Sequence, residues 1–383
     1  MIEERVNINH LSSPLGEGGP GCFIIAGGGT GGHIFPAIAI ANAIKKIAPQ
    51  TEILFVGAAG KMEMEKVPQA GYKIKGLDIA GFNRSSLIKN IALPFKLIKS
   101  FFQVADIFKS FKPTAVIGVG GYSSFPVLRY AQSRGIPSFI HESNSFAGKS
   151  NILLGKKATR IFTANAAMEK FFPAQKITVT GNPVRQSIAA SDISKEAALN
   201  FFNLSVDKKV VLSIGGSLGA KSINEAIDKD IDLFEQNNLQ LIWQTGKPYK
   251  EKAAARAKGK NNIVVNDFIT QMEYAYAAAD MVISRSGAMA IAELCVAKKP
   301  VLFVPYPFAA EDHQTVNAKA LVNKQAAQMI ADGEALQMLV PSIIGLSKDE
   351  SLQQQLKENI SALAVTDADI KIANEILECL QAK

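Results

Sequence analysis

The sequence predicts two doubly wound α/β domains, each built on a parallel sheet. Three observations carry this reading. Short β-branched runs alternate with longer helical patterns, the alternation restarts near residue 210, and glycine-rich turns recur at strand-to-helix junctions. The length of 383 residues points the same way, because it exceeds what one hydrophobic core usually serves.

The elements follow in order. A polar, Gly/Pro-rich lead ending at Gly21 reads as a loosely attached arm, residues 1–21. Predicted strands are Cys22–Ala26, Ile53–Gly57, Tyr72–Ile79, Ala115–Val119, Ser138–His141, Arg160–Thr163 and Ile177–Thr180. Between the first two, a helix over Pro36–Ala48 opens on a proline suited to a first helical turn. The second series is Val210–Ile214, Gln240–Gln244, Asn262–Val265, Met281–Ser284 and Val301–Val304, apolar enough for strands buried on both faces. The turn-forming segment Gly181-Asn182-Pro183-Val184-Arg185 is the expected boundary, giving domains over 22–183 and 184–367.

Composition bounds the function. Apolar residues at 48 % and charged residues at 20 % describe a globular chain, and no run approaches the ~18 apolar residues a membrane-spanning helix needs. The start carries Glu3 and Glu4 with no apolar run behind a basic end, so no secretory signal is read and the cytoplasm is expected. Cys22, Cys295 and Cys379 are scattered and odd in number, which suits buried thiols better than a disulfide or zinc framework. Forty-two basic against 34 acidic residues give +8, which favours an anionic partner: phosphate, an acidic membrane or nucleic acid.

Three loops carry candidate chemistry. Gly27-Gly28-Gly29-Thr30-Gly31-Gly32-His33 follows a strand and enters a helix, an arrangement that aims backbone N–H groups at an anion. Gly27, Gly29 and Gly32 fit the dinucleotide spacing, but the next strand ends Val56-Gly57-Ala58-Ala59, without the acid that would hold a ribose. Gly215-Gly216-Ser217-Leu218-Gly219 and Ser284-Arg285-Ser286-Gly287 occupy equivalent positions in the second half. Together they point to a ligand with phosphates, although each alone fits close strand-to-helix packing. His33, at a helix N-terminus, is expected to be neutral and is a candidate base. His141-Glu142-Ser143-Asn144 lies at the strand edge where ligands of open α/β sheets collect. No metal site is expected: the histidines lack ligand spacing, and the only D-x-D run, Asp228 to Asp232, reads as a solvated helix face.

One segment stands apart. From Ile79 to Ala105 there is no acidic residue, while Arg84, Lys89, Lys96 and Lys99 alternate with Phe82, Phe95, Phe101, Phe102 and aliphatic residues. Such a segment lies in a membrane interface or forms an ordinary amphipathic helix.

Taken together the loops resemble the MurG family of peptidoglycan N-acetylglucosaminyltransferases. The resemblance runs through Gly28 to Pro36, Gly120-Gly121-Tyr122-Ser123-Ser124, His141 to Asn144, Gly181 to Arg185, Gly215 to Ala220 with Asn224, Ser284 to Ala288, Glu293, and Asp312-His313-Gln314 with Asn317. It implies a GT-B fold, with two Rossmann-like domains facing across a cleft and a C-terminal helix, 368–383, returning to the first. It implies inverting transfer from UDP-N-acetylglucosamine to the muramic acid 4-hydroxyl of undecaprenyl-linked lipid I, with no cofactor or metal and no nucleic acid. The implied catalytic residues are His33, Glu142 and Tyr122. Thr30, Gly31, Gly32 and Asn144 would face sugar and acceptor; Arg185 and Ser217 the diphosphate; Ile269 the uracil; Glu293 the ribose. Asn224, Gln314 and the run Ala288, Met289, Ala290, Ile291 and Ala292 would complete the donor pocket. A lipid acceptor favours the interfacial reading of Phe82, Arg84, Lys89, Phe95, Lys96, Lys99, Phe101 and Phe102, on the anionic cytoplasmic face of the cell membrane. Phe125 stands where the family has a small residue, and Ala290 and Ala292 replace hydroxyl-bearing ones.

Overall fold

The computed structural model describes residues 21–81, 91–216, 218–309 and 312–381. The expectations for the N-terminal arm and for Phe82, Arg84, Lys89 and Ser217 fall, wholly or nearly so, outside them. The chain divides into two compact units. One comprises the described residues up to Glu142, Ala147–Thr180 and those from Asp367 on; the other comprises Ser143–Phe146 and Gly181–Thr366.

The first unit carries seven parallel strands: β1 (Cys22–Ala26), β2 (Glu52–Ala58), β3 (Lys73–Leu77), β4 (Ala115–Gly118), β5 (Ser138–Glu142), β6 (Arg160–Thr163) and β7 (Ile177–Val179), in the order β3-β2-β1-β4-β5-β6-β7. Its helices are α1 (Gly31–Ile47), α2 (Glu63–Gln69), α3 (Leu93–Phe111), α4 (Ser124–Ser133), α5 (Lys149–Gly155) and the last of the chain, α16 (Ala368–Gln381). Strand residues alternate between two cores. Phe23 and Ile25 join the side covered by α1 and α16, while Ile24 and Ala26 join the side under α3 and α4. Ile372, Ile376 and Leu377 of α16 lie in the same buried cluster as Ile40 and Ile44 of α1.

One expected helix is longer than the sequence suggested. α1 begins at Gly31, so Pro36 sits inside it. Pro36 lacks the N–H that would have bonded the Gly32 carbonyl, and its ring crowds that carbonyl, although its fixed φ suits the helix. The early start puts Gly31, Gly32 and His33 into the first turn.

The second unit has six parallel strands, β8 (Lys209–Ile214), β9 (Leu239–Gln244), β10 (Ile263–Asn266), β11 (Met281–Ser284), β12 (Val301–Phe303) and β13 (Gln328–Met329), in the order β10-β9-β8-β11-β12-β13. Around them lie α6 (Gln186–Ala189), α7 (Lys195–Phe201), α8 (Lys221–Lys229), α9 (Asp232–Gln236), α10 (Lys250–Ala257), α11 (Met272–Ala278), α12 (Ala288–Ala297), α13 (His313–Val322), α14 (Ala335–Lys348) and α15 (Glu350–Ser361). Both sheets reverse strand order beside their first strand, at β1/β4 and at β8/β11. Ligands of open α/β sheets bind at such switch points, outside the carboxyl ends of the strands.

Candidate functional site

The switch point of the first unit is bounded by the loop after β1 and the loop after β4. They touch through glycine. A Cβ on Gly121, whose φ is +83°, would lie 2.5 Å from the Gly28 carbonyl oxygen, and one on Gly120 would lie 2.8 Å from His33 Nε2. Only hydrogen at these positions lets the loops close around the imidazole.

His33 Nδ1 lies 3.1 Å from the Gly28 carbonyl oxygen. A carbonyl only accepts, so the proton is assigned to Nδ1, leaving Nε2 as the basic nitrogen of the neutral ring. Burial holds the His33 pKa below 6.5, opposed by that hydrogen bond and by the charges of Glu142 and Glu63. Thr30, exposed, is the N-cap of α1 without a side-chain capping bond. The Tyr122 ring lies beside Gly29 and Gly81; burial, then Glu63, raises its phenol pKa, so it is a hydrogen-bond donor.

Sequence reasoning missed Glu63. This first residue of α2 is 1 % exposed, and its carboxylate points back into the glycine loop: Oε2 accepts from the Gly29 N–H at 3.0 Å and Oε1 from the Ala58 N–H at 2.9 Å. The acid absent from the end of β2 therefore arrives a few residues later, buried. It occupies from inside the cradle that the sequence left for a ligand's phosphate, so a bound dinucleotide would have to displace it. No sequence pattern linked Glu63 to the loop, because its reach depends on how α2 turns back on β2.

Glu142 ends β5, 4 % exposed. Its Oε2 accepts from the Gly148 N–H at 3.1 Å and Asn151 Nδ2 at 2.8 Å, bracing the N-terminus of α5. Asn144, expected with the first domain, belongs by packing to the second unit along with Ser143–Phe146.

In the second unit the loop after β8 packs backbone to backbone against the end of β9. A Cβ on Gly219, at φ +76°, would lie 2.0 Å from the Thr245 carbonyl oxygen. Asn224 secures this junction. It is 3 % exposed, with Nδ2 donating to the Thr245 carbonyl at 2.8 Å and Oδ1 accepting from Trp243 Nε1 at 2.9 Å, so it faces the interior, where the sequence suggested a ligand. Gln244 links the Gly216 carbonyl to the Ile269 N–H, at 3.1 Å each, joining the loop to the buried residue expected at uracil.

Opposite stands the loop after β11. Arg285 anchors it, donating to the Val304 and Pro305 carbonyls, Asp332 and Ser222. Gly287 caps α12, whose first turn is Ala288, Met289, Ala290 and Ile291, with Ala292 next, all half-buried and with no acidic side chain in that turn. With no acidic side chain in that turn, its backbone N–H groups suit an anion. One turn on, Glu293 meets Arg185 and accepts a third hydrogen bond from Tyr276, at 3.1 Å. Gln314 Oε1 accepts from the Tyr306 N–H at 3.0 Å, and its carbonyl accepts from Ser286.

Two surface readings resolve differently. Asp228 is not on a solvated face: buried, it binds Lys252, Arg256 and Tyr249, because α10 packs across α8. Among the described residues no cluster of His, Cys, Asp or Glu is arranged to hold a metal. From Leu93 on, the basic segment belongs to α3, with Ile91, Phe95, Ile98 and Phe102 exposed along or just before it; Phe95 is 73 % and Phe102 70 % exposed. Phe101 is half-buried, and Lys96 and Lys99 share Asp78 at 3.4 and 2.8 Å. No helix among the described residues is long and apolar enough to cross a membrane.

Comparison with known proteins gives concordant matches. The glycosyltransferase family 28 N-terminal domain matches residues 23–163 and the family's C-terminal domain matches residues 210–372. A Parabacteroides distasonis protein, named as the UDP-N-acetylglucosamine–N-acetylmuramyl-(pentapeptide) pyrophosphoryl-undecaprenol N-acetylglucosamine transferase, is 51 % identical over 94 % of this chain and 98 % of its own length. A Bacteroides fragilis protein of the same name is 48 % identical over 98 % of this chain and its full length. The crystal structure of Acinetobacter baumannii MurG superposes with a TM-score of 0.70 at 28 % identity, covering 93 % of this chain and 99 % of that one.

Proposed function

This chain belongs to glycosyltransferase family 28, and from that premise we propose how its residues carry out the reaction named for its relatives. It is an N-acetylglucosaminyltransferase that uses UDP-N-acetylglucosamine and undecaprenyl-linked lipid I to make a peptidoglycan precursor. The observation that carries the mechanism is the orientation of His33, whose Nδ1 is tied to Gly28 so that Nε2 is the basic nitrogen.

The muramic acid 4-hydroxyl attacks the anomeric carbon of N-acetylglucosamine from the side opposite UDP. Its proton passes to His33 Nε2, the new glycosidic bond forms, and the bond to the β-phosphate oxygen breaks with both electrons leaving on UDP. The second unit holds the donor. The N-terminus of α12 and the loop around Ser217 stabilise the departing diphosphate with Arg185, while Glu293 offers its remaining acceptor position to the ribose. The first unit meets the acceptor, with Thr30, Gly31 and Gly32 at the N-terminus of α1 and Tyr122 as a neutral donor. Glu142, braced on α5, supports the site electrostatically. Ile91, Phe95, Ile98 and Phe102 enter the interface of the anionic cytoplasmic leaflet, where the acceptor resides. The reaction so drawn calls for no metal at the D-x-D run, whose Asp228 pairs with Lys252 and Arg256.

The test is release of UDP. Purified protein should release it only when a lipid I analogue is present, and equally in chelator. Release that needs no acceptor, or that chelator abolishes and magnesium restores, contradicts the mechanism.

A further inference from the structure

The Gly28–Gly29 peptide is held at both ends. Its N–H donates to Glu63 Oε2 at 3.0 Å, and its C=O accepts from His33 Nδ1 at 3.1 Å. These two groups belong to one planar, conjugated unit. We propose that Glu63 is a positioning residue that acts on His33 through this peptide, a carboxylate–peptide–imidazole relay that fixes the ring and strengthens its Nε2 as a base. This rests on His33 being the base.

Two observations and one general principle support the relay. Glu63 is almost fully buried, and among the described residues no lysine, arginine or histidine nitrogen lies within ion-pair distance of it. Burying a carboxylate this way is costly, so its two backbone hydrogen bonds must be strong ones. Its second oxygen is pinned by the Ala58 N–H at the end of β2, so the carboxylate cannot swing away and the loop is set by the sheet. Finally, an anion accepting from an amide N–H shifts electron density toward that amide's oxygen, which strengthens the bond from His33 Nδ1–H. The geometry resembles that of hydrolase triads, in which a buried carboxylate holds the histidine tautomer directly, with a peptide group inserted here.

The charged groups acting on His33 are Glu63 from α2 and Glu142 from β5, and the Tyr122 phenol from the loop after β4 lies beside Gly29 and is influenced by Glu63. Glu63 and Glu142 both favour the imidazolium. Glu63→Gln keeps size but loses the charge and one acceptor, and leaves Glu142 in place.

The experiment combines kinetics with ¹⁵N spectra of histidine-labelled protein. Expected for Glu63→Gln are a fall in kcat of about tenfold or more, part of the ~10²–10⁴ a placed base supplies; an acid limb of kcat/KM moved to lower pH; and a lower His33 titration point. UDP affinity should not change, because its site lies in the other unit. A His33 resonance and an acid limb indifferent to Glu63→Gln overturn the relay, whatever happens to kcat. Normal turnover in His33→Ala overturns instead the assignment of the base. The wild-type protein gives a reading that needs no variant: His33 should carry its proton on Nδ1 at neutral pH and the Gly29 amide should be protected from exchange. An Nε2–H tautomer, or a freely exchanging Gly29 amide, overturns the relay.

Discussion

Arg185 and Glu293, 108 residues apart in sequence, meet as a planar fork, Nε to Oε1 at 2.9 Å and Nη2 to Oε2 at 3.0 Å. The Tyr276 phenol, kept protonated by burial and then by Glu293, completes the set. Glu293→Ala removes charge-assisted bonds worth about 1.5–3 kcal/mol and leaves Arg185 and Tyr276 without their acceptor. UDP affinity should fall about tenfold or more by calorimetry, and the melting temperature should drop with it. A lowered melting temperature with unchanged UDP affinity would make the fork purely structural.

Burial lowers the His33 pKa from its ordinary value, which favours the neutral ring. The kcat/KM profile should therefore be flat near neutrality and fall on the acid side, as His33 gains a proton. His33→Ala should lower kcat ~10²–10⁴-fold with little change in UDP affinity. Lost donor binding with normal turnover at saturation would make His33 a cap on the loop.

What could be read from the sequence and what could not divide on physical lines. β1, β6 and β11 run as predicted, Cys22–Ala26, Arg160–Thr163 and Met281–Ser284, because short apolar runs in a parallel sheet are buried on both faces and end at polar or glycine residues. β13, only Gln328 and Met329, has no such run and exists because β12 offers it an edge. The glycine loops were legible because they need glycine locally. The acid that fills one of them was not, and neither was the capture of Asp228 by α10, since both depend on how a helix packs back on its neighbours. The Arg185–Glu293 fork needed the tertiary fold to bring distant segments together. Asn224 was hard to read for the opposite reason. Its place beside a glycine loop suggested a ligand, and the loop itself proved to be the partner.

On α3 the charge is partly cancelled, since Lys96 and Lys99 share Asp78, so the exposed apolar stripe should dominate membrane affinity. Fully burying a phenylalanine is worth about 1.5–3 kcal/mol, which makes Phe95→Ser with Phe102→Ser worth well over tenfold in vesicle partitioning. Sedimentation with anionic vesicles should show that loss while UDP binding stays intact. Indifference of sedimentation to the double change would return α3 to an ordinary amphipathic helix.

Lys299 gives a stability prediction. Burial pushes its pKa down to about 8, opposed by Asp280 and reinforced by Lys195 and Lys357, while Nζ donates to the Ala279 carbonyl at 2.7 Å. The unfolded chain holds this proton up to its ordinary pKa of 10.5. Between about pH 8 and 10.5 the unfolded state therefore binds more protons, and this group's contribution to stability rises with pH, by at most about 1.4 kcal/mol per unit. Lys299→Met should stabilise the protein at pH 7, with the advantage shrinking across that window in denaturant titrations. A difference independent of pH would show that Lys299 is not desolvated.

The most direct measurement follows the sugar itself. Purified protein is incubated with UDP-N-acetylglucosamine labelled in the sugar and a lipid I analogue in anionic vesicles, and the lipid extract is analysed. The account predicts label in a lipid-linked disaccharide, abolished by omitting the acceptor and strongly reduced in His33→Ala. Label that stays in the aqueous phase as an epimerised or hydrolysed sugar, with none in lipid, would contradict it.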